Sequence, residues 1–296
     1  MFGPLEFILA GVLVGFCVGI TGVGGGSLMT PILITLLRVE PHIAIGTDLL
    51  YAAISKFCGS LVHAKKMNIV WPIVIWLAVG SIPASFATHW VLDNFLSQST
   101  HYKSVLTMVL GFMLTLTGVS IIFRSQIEKF FNKYRKQEST DLTFDMDKVK
   151  QQAKDKRFYI IFMGIVLGIF VTLSSVGAGA FGIMALILMF PNLPMIRIIG
   201  SDVVHAVLLT LVAGLGHMSS GNVDFTLLGW LLCGSIPAIV IGTLISSRMP
   251  EKFIRKILGV TLFCLGINFI MNPVKSKPVK AVDPVATVQT EKVQAV

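Results

Sequence analysis

A 39-residue stretch occurs twice in this chain, and the duplication limits the folds that the chain can adopt. Residues 46–84 and 200–238 are related by an offset of 154 and are identical at 13 of 39 positions without a gap. Both copies carry Asp, His and Asn at the same separations and end with the sequence GSIPA. A shared apolar composition would repeat Leu and Val rather than these polar residues, so the chain contains an internal duplication.

The composition indicates that both copies lie in a membrane. Of the 296 residues, 54% are hydrophobic and only 13% are charged, and the mean hydropathy is +0.81. Soluble domains carry about a quarter charged residues, so this chain has too little polar surface to face water. Much of its net charge of +9 falls between apolar runs, where basic residues set the orientation of a membrane protein rather than bind nucleic acid.

Each half contains four long apolar segments and one short one, in the same order. The long segments are 5–20, 45–62, 69–91, 104–123, 158–173, 198–216, 225–245 and 253–271. A spanning helix needs about 20 apolar residues, so the short segments 28–37 and 180–190 cannot cross alone. The chain has ten spans, with both termini outside, if each short segment crosses, and six if each pairs with its predecessor as a re-entrant hairpin.

A glycine-rich break precedes each short segment: TGVGGGS at 21–27 and SSVGAGA at 174–180. Unwound backbone at membrane depth is tolerated only where protein buries it or where it lines a wet cavity. Breaks at matched positions in two halves indicate the central site of a transporter. The candidate substrate-binding glycines are Gly24, Gly25, Gly26, Gly177 and Gly179. The alternative, that glycine allows close helix packing, is our interpretation of Gly11-xxx-Gly15-xxx-Gly19 and Gly164-xxx-Gly168.

Basic residues predict the orientation of the two halves. The connection Arg124–Arg157 carries 10 Lys and Arg against 6 Asp and Glu, which places it in the cytoplasm. Counting spans puts Lys65 and Lys66 on the same side and the equivalent loop 218–224, which has no Lys or Arg, outside. We therefore predict an all-α polytopic membrane protein of two inverted repeats, each with about five hydrophobic segments and a glycine-broken short helix. The predicted parts are a first membrane repeat (1–123), a charged cytoplasmic connecting loop (124–157), a second membrane repeat (158–272) and a disordered polar tail (273–296).

Three charged residues fall inside apolar segments, where charges are rare and by default functional. Lys56 lies near mid-span, so it either pairs with a carboxylate or meets an anionic substrate. Asp48 and Asp202 begin their segments after Gly-Thr and Gly-Ser, so they hold Lys56, take a proton or cap helix starts. Thr47 and Ser201 beside them are further candidates for substrate binding.

Three histidines are candidates for proton coupling or gating, since histidine titrates near neutral pH. His63 and His217 hold equivalent positions near the ends of their segments, where interfacial hydrogen bonding is the alternative role. His205 is the counterpart of Tyr51, and we expect the two to share a hydrogen bond inside the bundle. The sequence has neither metal-site spacing nor a GxxxxGK[ST] nucleotide loop, so we expect no metal, no cofactor and no ATP-driven pump.

Several of these blocks resemble the sulfite exporter TauE/SafE family, also called the 4-toluene sulfonate uptake permeases. In the first half they are the glycine run followed by Pro31, the block Gly46–Ala53, and His63 with Asn68. In the second half they are Gly200-Ser201-Asp202, His205-Ala206, Gly214–His217 and Gly221–Asp224. The resemblance covers about residues 5–270 and implies secondary transport of small sulfur-containing anions across the bacterial inner membrane. Ala178 interrupts the second glycine run, so we expect the first break to dominate binding.

The sequence therefore favours a non-enzymatic secondary transporter of sulfite, thiosulfate or organosulfonate that works by alternating access. Its expected partners are a small anionic substrate and the lipid bilayer, with no nucleic acid; assembly as a homo-oligomer stays open. The alternative is a proton-coupled cation or metal transporter. That alternative would use Asp48, Asp202, His63, His205 and His217.

The inverted orientation predicts opposite labelling of two equivalent loops. In a cysteine-free background, Ser219→Cys should react with an impermeant thiol reagent from the periplasm, and Ala64→Cys only from the cytoplasm. Labelling of both positions from one side would contradict the inverted repeat.

The dominance of the first break predicts unequal effects of single methyl groups. Gly25→Ala should weaken sulfite or organosulfonate binding, because a Cβ blocks close approach to three consecutive glycine amides. Ala178→Gly is the matched variant and should be nearly neutral. Ligand titration of both purified variants, with melting temperature as the folding control, checks this; normal binding by Gly25→Ala would make the run a packing seam.

Overall fold

Helices are the only regular secondary structure in the part of the chain that the computed structural model describes, namely residues 3–21, 26–65, 68–96, 99, 101–138, 146–246 and 251–274. No strand occurs in these ranges, which confirms the all-α prediction. The α-helices are α1 Pro4–Thr21, α2 Gly26–Thr35, α3 Pro41–Lys65, α4 Trp71–Val91, α5 Tyr102–Glu138, α6 Met146–Asp155, α7 Arg157–Ser174, α8 Ala180–Met189, α9 Met195–Ser219, α10 Phe225–Ser246 and α11 Glu251–Met271. A π-helical turn, Leu92–Leu96, extends α4.

Six of the described helical stretches are long and apolar enough to cross a membrane. They are Trp71–Leu96, Tyr102–Arg124, Arg157–Ser174, Met195–Ser219, Phe225–Ile245 and Ile254–Met271. Helices α2 and α8 have ten residues each. At 1.5 Å per residue, ten residues extend about 15 Å, half of a hydrocarbon core about 30 Å thick. Neither short helix can therefore cross as a single element.

The helices of the two halves contact one another in matched pairs. Helices α1–α5 form the first half and α7–α11 the second. Helix α1 packs on α10, and its counterpart α7 packs on α4. Helices α3 and α9 pack on each other, as do α5 and α11, so these pairs join a helix to its own counterpart. Most of the helix packing therefore lies between the halves rather than within them.

Glycines make the closest of these contacts. A methyl group on Gly15 of α1 would lie 2.5 Å from the carbonyl oxygen of Ser235 in α10 and 2.7 Å from its Cα. The counterpart Gly168 of α7 faces the backbone of Ser81 in α4 in the same way. The spaced glycines of α1 and α7 are therefore packing residues, as the sequence analysis predicts.

The Gly-Thr-Asp and Gly-Ser-Asp motifs lie inside their helices, so the expectation that they cap helix starts is wrong. Helix α3 begins at Pro41, and α9 begins directly after Pro194. Proline is favoured at a helix start because its fixed φ suits the first turn and its missing N–H leaves nothing there to satisfy. The prolines thus start these helices several residues before the motifs.

The hydroxyl groups of the two motifs instead bind helix starts in the opposite half. Thr47 Oγ1 accepts the backbone N–H of Asp224, immediately before α10, at 3.1 Å. Ser201 Oγ accepts the N–H of Val70, immediately before α4, at 2.9 Å. Because residues 70 and 224 are themselves equivalent, the duplication preserves both the hydroxyl and its partner.

The charged connection is more helical than a connecting loop. Helix α5 continues past the expected boundary at residue 123 to Glu138, and α6 occupies Met146–Asp155. Residues 124–138 contain no Gly or Pro and many Lys, Arg, Glu and Gln, which are good helix formers, so the helix does not end with its apolar part. The polar tail after residue 274 lies outside the described residues.

The tight packing at Gly15 predicts that one added methyl group destabilises the protein. Gly15→Ala should lower the free energy of unfolding by about 1–3 kcal/mol, the usual effect of overpacking. Gly229→Ala in α10 is the matched control, because nothing lies within 4 Å of a methyl group there. Thermal melting in detergent distinguishes the two; equal melting temperatures would contradict the packing role of Gly15.

Candidate functional site

The second glycine-rich break is an unwound connection between α7 and α8. Ser175 ends α7 with a φ of 58°, and Gly177 and Gly179 have φ values of 115° and 137°. Residues with a Cβ rarely adopt the two glycine conformations, so the backbone path requires glycine there. The predicted helix break is confirmed at this position. In the first break, Gly24 and Gly25 lie outside the described residues, and Gly26 begins α2.

Lys56 reaches from α3 in the first half to this break in the second half. Its Nζ donates a hydrogen bond to the carbonyl oxygen of Ala178 at 2.6 Å. Unwound carbonyl groups at membrane depth need such donors, because no water is available in the hydrocarbon core. The lysine and the unwound backbone therefore satisfy each other.

Two carboxylates act on Lys56 from a distance. The ammonium interacts electrostatically with Asp202 and, more weakly, with Asp48. Across the described residues, neither carboxylate lies within 4.0 Å of it. A direct ion pair with Lys56, one of the roles expected for the two Asp residues, is therefore absent from this arrangement.

The two equivalent carboxylates have different surroundings. Asp48 Oδ2 accepts hydrogen bonds from both the backbone N–H and the hydroxyl of Thr30 in α2, the former at 3.2 Å. The Ser175 hydroxyl also interacts with Asp48. Asp202 is 1% exposed, and neither of its oxygens has a hydrogen-bond partner. Its Oδ1 lies against Gly182 of α8, so closely that a Cβ there would collide with it.

His205 does not form the hydrogen bond with Tyr51 that the sequence analysis predicts. Its Nε2 lies 2.9 Å from Ser81 Oγ of α4, in the opposite half. Tyr51 correspondingly lies near Ser235 of α10, without forming a hydrogen bond to it. The helix crossings pair each residue with a serine of the other half, and these serines are equivalent in the duplication.

His217 lies in the last turn of α9, where its side chain is buried between helices. It is fully buried in α9, and its Nε2 lies 2.9 Å from the carbonyl oxygen of Thr172 in α7. Its ring centroid lies 5.6 Å from that of His89 in α4, which contacts Asp93 at 3.2 Å. Fifteen residues, about 22 Å of helix, separate it from Asp202.

The structure thus brings part of the predicted site together. Lys56, Asp48 and Asp202 converge on the second break with Gly177 and Gly179. His217 lies elsewhere, the hydroxyls of Thr47 and Ser201 bind backbone N–H groups, and the His63 side chain lies outside the described residues.

Sequence reasoning did not find Thr30 or Arg124. Thr30 has Ile183 as its counterpart, so the duplication gave no signal for it. Arg124 directly follows an apolar run, and the composition of the sequence predicts that it begins the connection. The continuous helix α5 instead keeps it 9% exposed, where it interacts electrostatically with Asp202. The absence of Gly and Pro after residue 123 was the available signal.

Comparison with known proteins agrees with this architecture. The profile of the family described as "Sulfite exporter TauE/SafE" matches residues 7–269. A probable membrane transporter protein, YjnA of Bacillus subtilis, is 35% identical over 266 residues, which cover 90% of this chain and 99% of the relative. YdhB of the same organism, also a probable membrane transporter protein, is 25% identical and covers 88% and 97%.

More distant relatives also align over nearly their whole length. A probable membrane transporter protein of Methanocaldococcus jannaschii is 23% identical, with 88% of this chain and 94% of the relative covered. No solved structure matches the chain significantly. The extent of the profile match and the full-length relatives show that this multi-pass membrane protein belongs to the TauE/SafE sulfite exporter family of membrane transporters.

Proposed function

We propose that the protein is a secondary transporter of small sulfur-containing anions in the bacterial inner membrane. The family description names sulfite, and the related anions thiosulfate and organosulfonates share its oxygen-rich negative charge. Transport proceeds by alternating access between two inverted halves, with the anion bound where Lys56 meets the second break.

The Lys56–Ala178 contact is the observation that carries this proposal. An ammonium has three donors, and one of them is used on the Ala178 carbonyl. No carboxylate within ion-pair distance neutralises the remaining charge in the described part of the chain. An anion beside Lys56 would find a full positive charge and polar hydrogens in a poorly hydrated setting, where electrostatic attraction is strong.

The backbone of the second break also favours a negatively charged ligand. Helix α8 begins at Ala180, so the positive end of its dipole points toward the break. Gly177 and Gly179 have no Cβ to keep a ligand away from the backbone. A cation would meet these positive partial charges and the ammonium together, which opposes its binding.

Alternating access fits the way in which the halves share the site. Lys56 belongs to one half and Ala178 to the other, so a movement of one half against the other changes the distance between them. The matched contacts of α1 with α10 and of α7 with α4 support a two-fold relation between the halves. These features are typical of transporters built from repeats around a fixed central site.

A cation or metal transporter is the weaker hypothesis. It requires carboxylates and histidines around one point, and the described residues hold no group of three such side chains in metal-binding arrangement. Uptake of labelled sulfite, but not of a divalent metal ion, by proteoliposomes would separate the two functions. The opposite result would replace the anion proposal.

Lys56→Met tests the anion site directly. Loss of a charge-assisted hydrogen bond, typically about 1.5–3 kcal/mol, should weaken thiosulfate or sulfite binding by roughly 10- to 100-fold. Isothermal titration of the purified variant measures this change, and detergent melting reports whether the fold survives loss of the Ala178 contact.

Lys103→Met provides the matched lysine control, because Lys103 pairs with Glu40 at the protein surface. This control should bind the anions normally. If Lys56→Met binds within about twofold of the unmodified protein, Lys56 has only a structural role and the proposed site is wrong.

A further inference from the structure

We propose that Asp202 is the group that binds the coupled proton, so that one anion and one proton occupy the central site together. The inference rests on the proposed anion transport and adds both the coupling ion and the residue that carries it. It follows from a difference between two carboxylates that the duplication places at equivalent positions.

Asp202 lacks the hydrogen bonds that its counterpart Asp48 receives. Asp48 receives two hydrogen bonds from Thr30, whereas both oxygens of Asp202 are buried without a donor. Hydrogen bonds to a carboxylate favour its charged form, and burial without them favours the neutral acid. The two carboxylates therefore differ in the hydrogen bonds that stabilise a negative charge, although the sequence motif around them is the same.

The cause of this difference lies in the helix that faces each carboxylate. With the offset of 153 that relates the two breaks, the counterpart of Thr30 in α8 is Ile183. Ile183 has no hydroxyl group, and its backbone N–H donates to the Gly179 carbonyl at 2.8 Å. Gly182 lets Asp202 approach the helix backbone closely but offers no side-chain donor.

The charged groups around Asp202 connect its protonation to the anion. Lys56 of α3 and Arg124 of α5 both interact electrostatically with Asp202. Lys56 also interacts with Asp48 of α3. Helix α8 contributes no titratable residue. His205, one turn further along α9, is hydrogen-bonded to Ser81 of α4, which also packs on α9.

An anion beside Lys56 would compete with Asp202 for the same positive charge. Two like charges near one ammonium in a low-dielectric site repel strongly, and protonation of the carboxylate removes that repulsion. In each cycle a proton from water on one side binds a carboxylate oxygen of Asp202 as the anion binds at Lys56. Both leave on the other side, so proton and anion move in the same direction.

Thiosulfate is the best probe, because it takes up protons only several pH units below the working range. It therefore stays fully ionised between about pH 5 and 8. Any proton that accompanies it must therefore be carried by the protein. Proteoliposomes allow two measurements: exchange of labelled thiosulfate at equal pH, and net uptake driven by a pH gradient with a pH-sensitive dye in the lumen. The unmodified protein should show both activities.

Asp202→Asn should keep the exchange and lose at least tenfold of the gradient-driven uptake. Glu40→Gln is the control, because this carboxylate pairs with Lys103 at the protein surface, and the variant should keep both the exchange and the coupling to the gradient. Gradient-driven uptake by Asp202→Asn at the unmodified rate would overturn the proposal.

Ile183→Thr keeps the test decisive if Asp202→Asn fails to exchange. This variant gives Asp202 a hydroxyl donor, as Thr30 gives one to Asp48. Because that hydrogen bond favours the charged carboxylate, the pH midpoint of thiosulfate affinity should move to lower pH. The infrared difference band of a protonated carboxyl that forms on thiosulfate binding should weaken at a fixed pH. An unchanged midpoint and band would overturn the assignment of Asp202.

The two proposals fail in different ways. Exchange without any effect of a pH gradient in the unmodified protein would leave anion transport standing and overturn proton coupling. No exchange of thiosulfate or sulfite at all would overturn the transport function, and the proton assignment with it.

Discussion

The hydrogen bond from Lys56 to the Ala178 carbonyl holds the centre of this molecule together. A broken helix in a bilayer exposes backbone groups that lipid cannot satisfy, and a charged ammonium at the same depth is equally unfavourable alone. The hydrogen bond between the two groups lowers the energetic cost of burying each of them. Because the lysine belongs to the first half and the carbonyl to the second, neither half can form the site by itself.

The two copies of the duplicated segment share their packing contacts but differ in the polar side chains around the break. Equivalent glycines make equivalent close contacts, and Thr47 and Ser201 bind equivalent helix starts. Around the break, by contrast, the counterpart of Lys56 is Thr210, whose hydroxyl donates within its own helix to Ala206. A second lysine at that position would add like charge to a buried site, so one cation for two halves is the arrangement that low dielectric favours.

The sequence predicts where the helices lie but not which side chains of different helices contact one another. The apolar segment 225–245 became α10, Phe225–Ser246, because length and apolarity alone decide where a helix can cross lipid. The glycine density at 174–180 likewise predicted the break. The partner predicted for His205 is wrong, however, because it depends on how helices of different halves cross. The helical continuation to Arg124 is not predicted, because a change in composition does not by itself mark the end of a helix.

The separation of Lys56 from both carboxylates matters as much as the contact that it makes. A direct ion pair in the bilayer interior would be strong, and an anion would have to break it before binding. A neutral carbonyl holds the ammonium in place without cancelling its charge. The carboxylates beyond 4.0 Å still lower the energy of the buried cation, with Arg124 acting on Asp202 from another helix. If the proposed function holds, this arrangement would keep the empty site stable and still let it attract an anion, as a carrier that loads and unloads in every cycle requires.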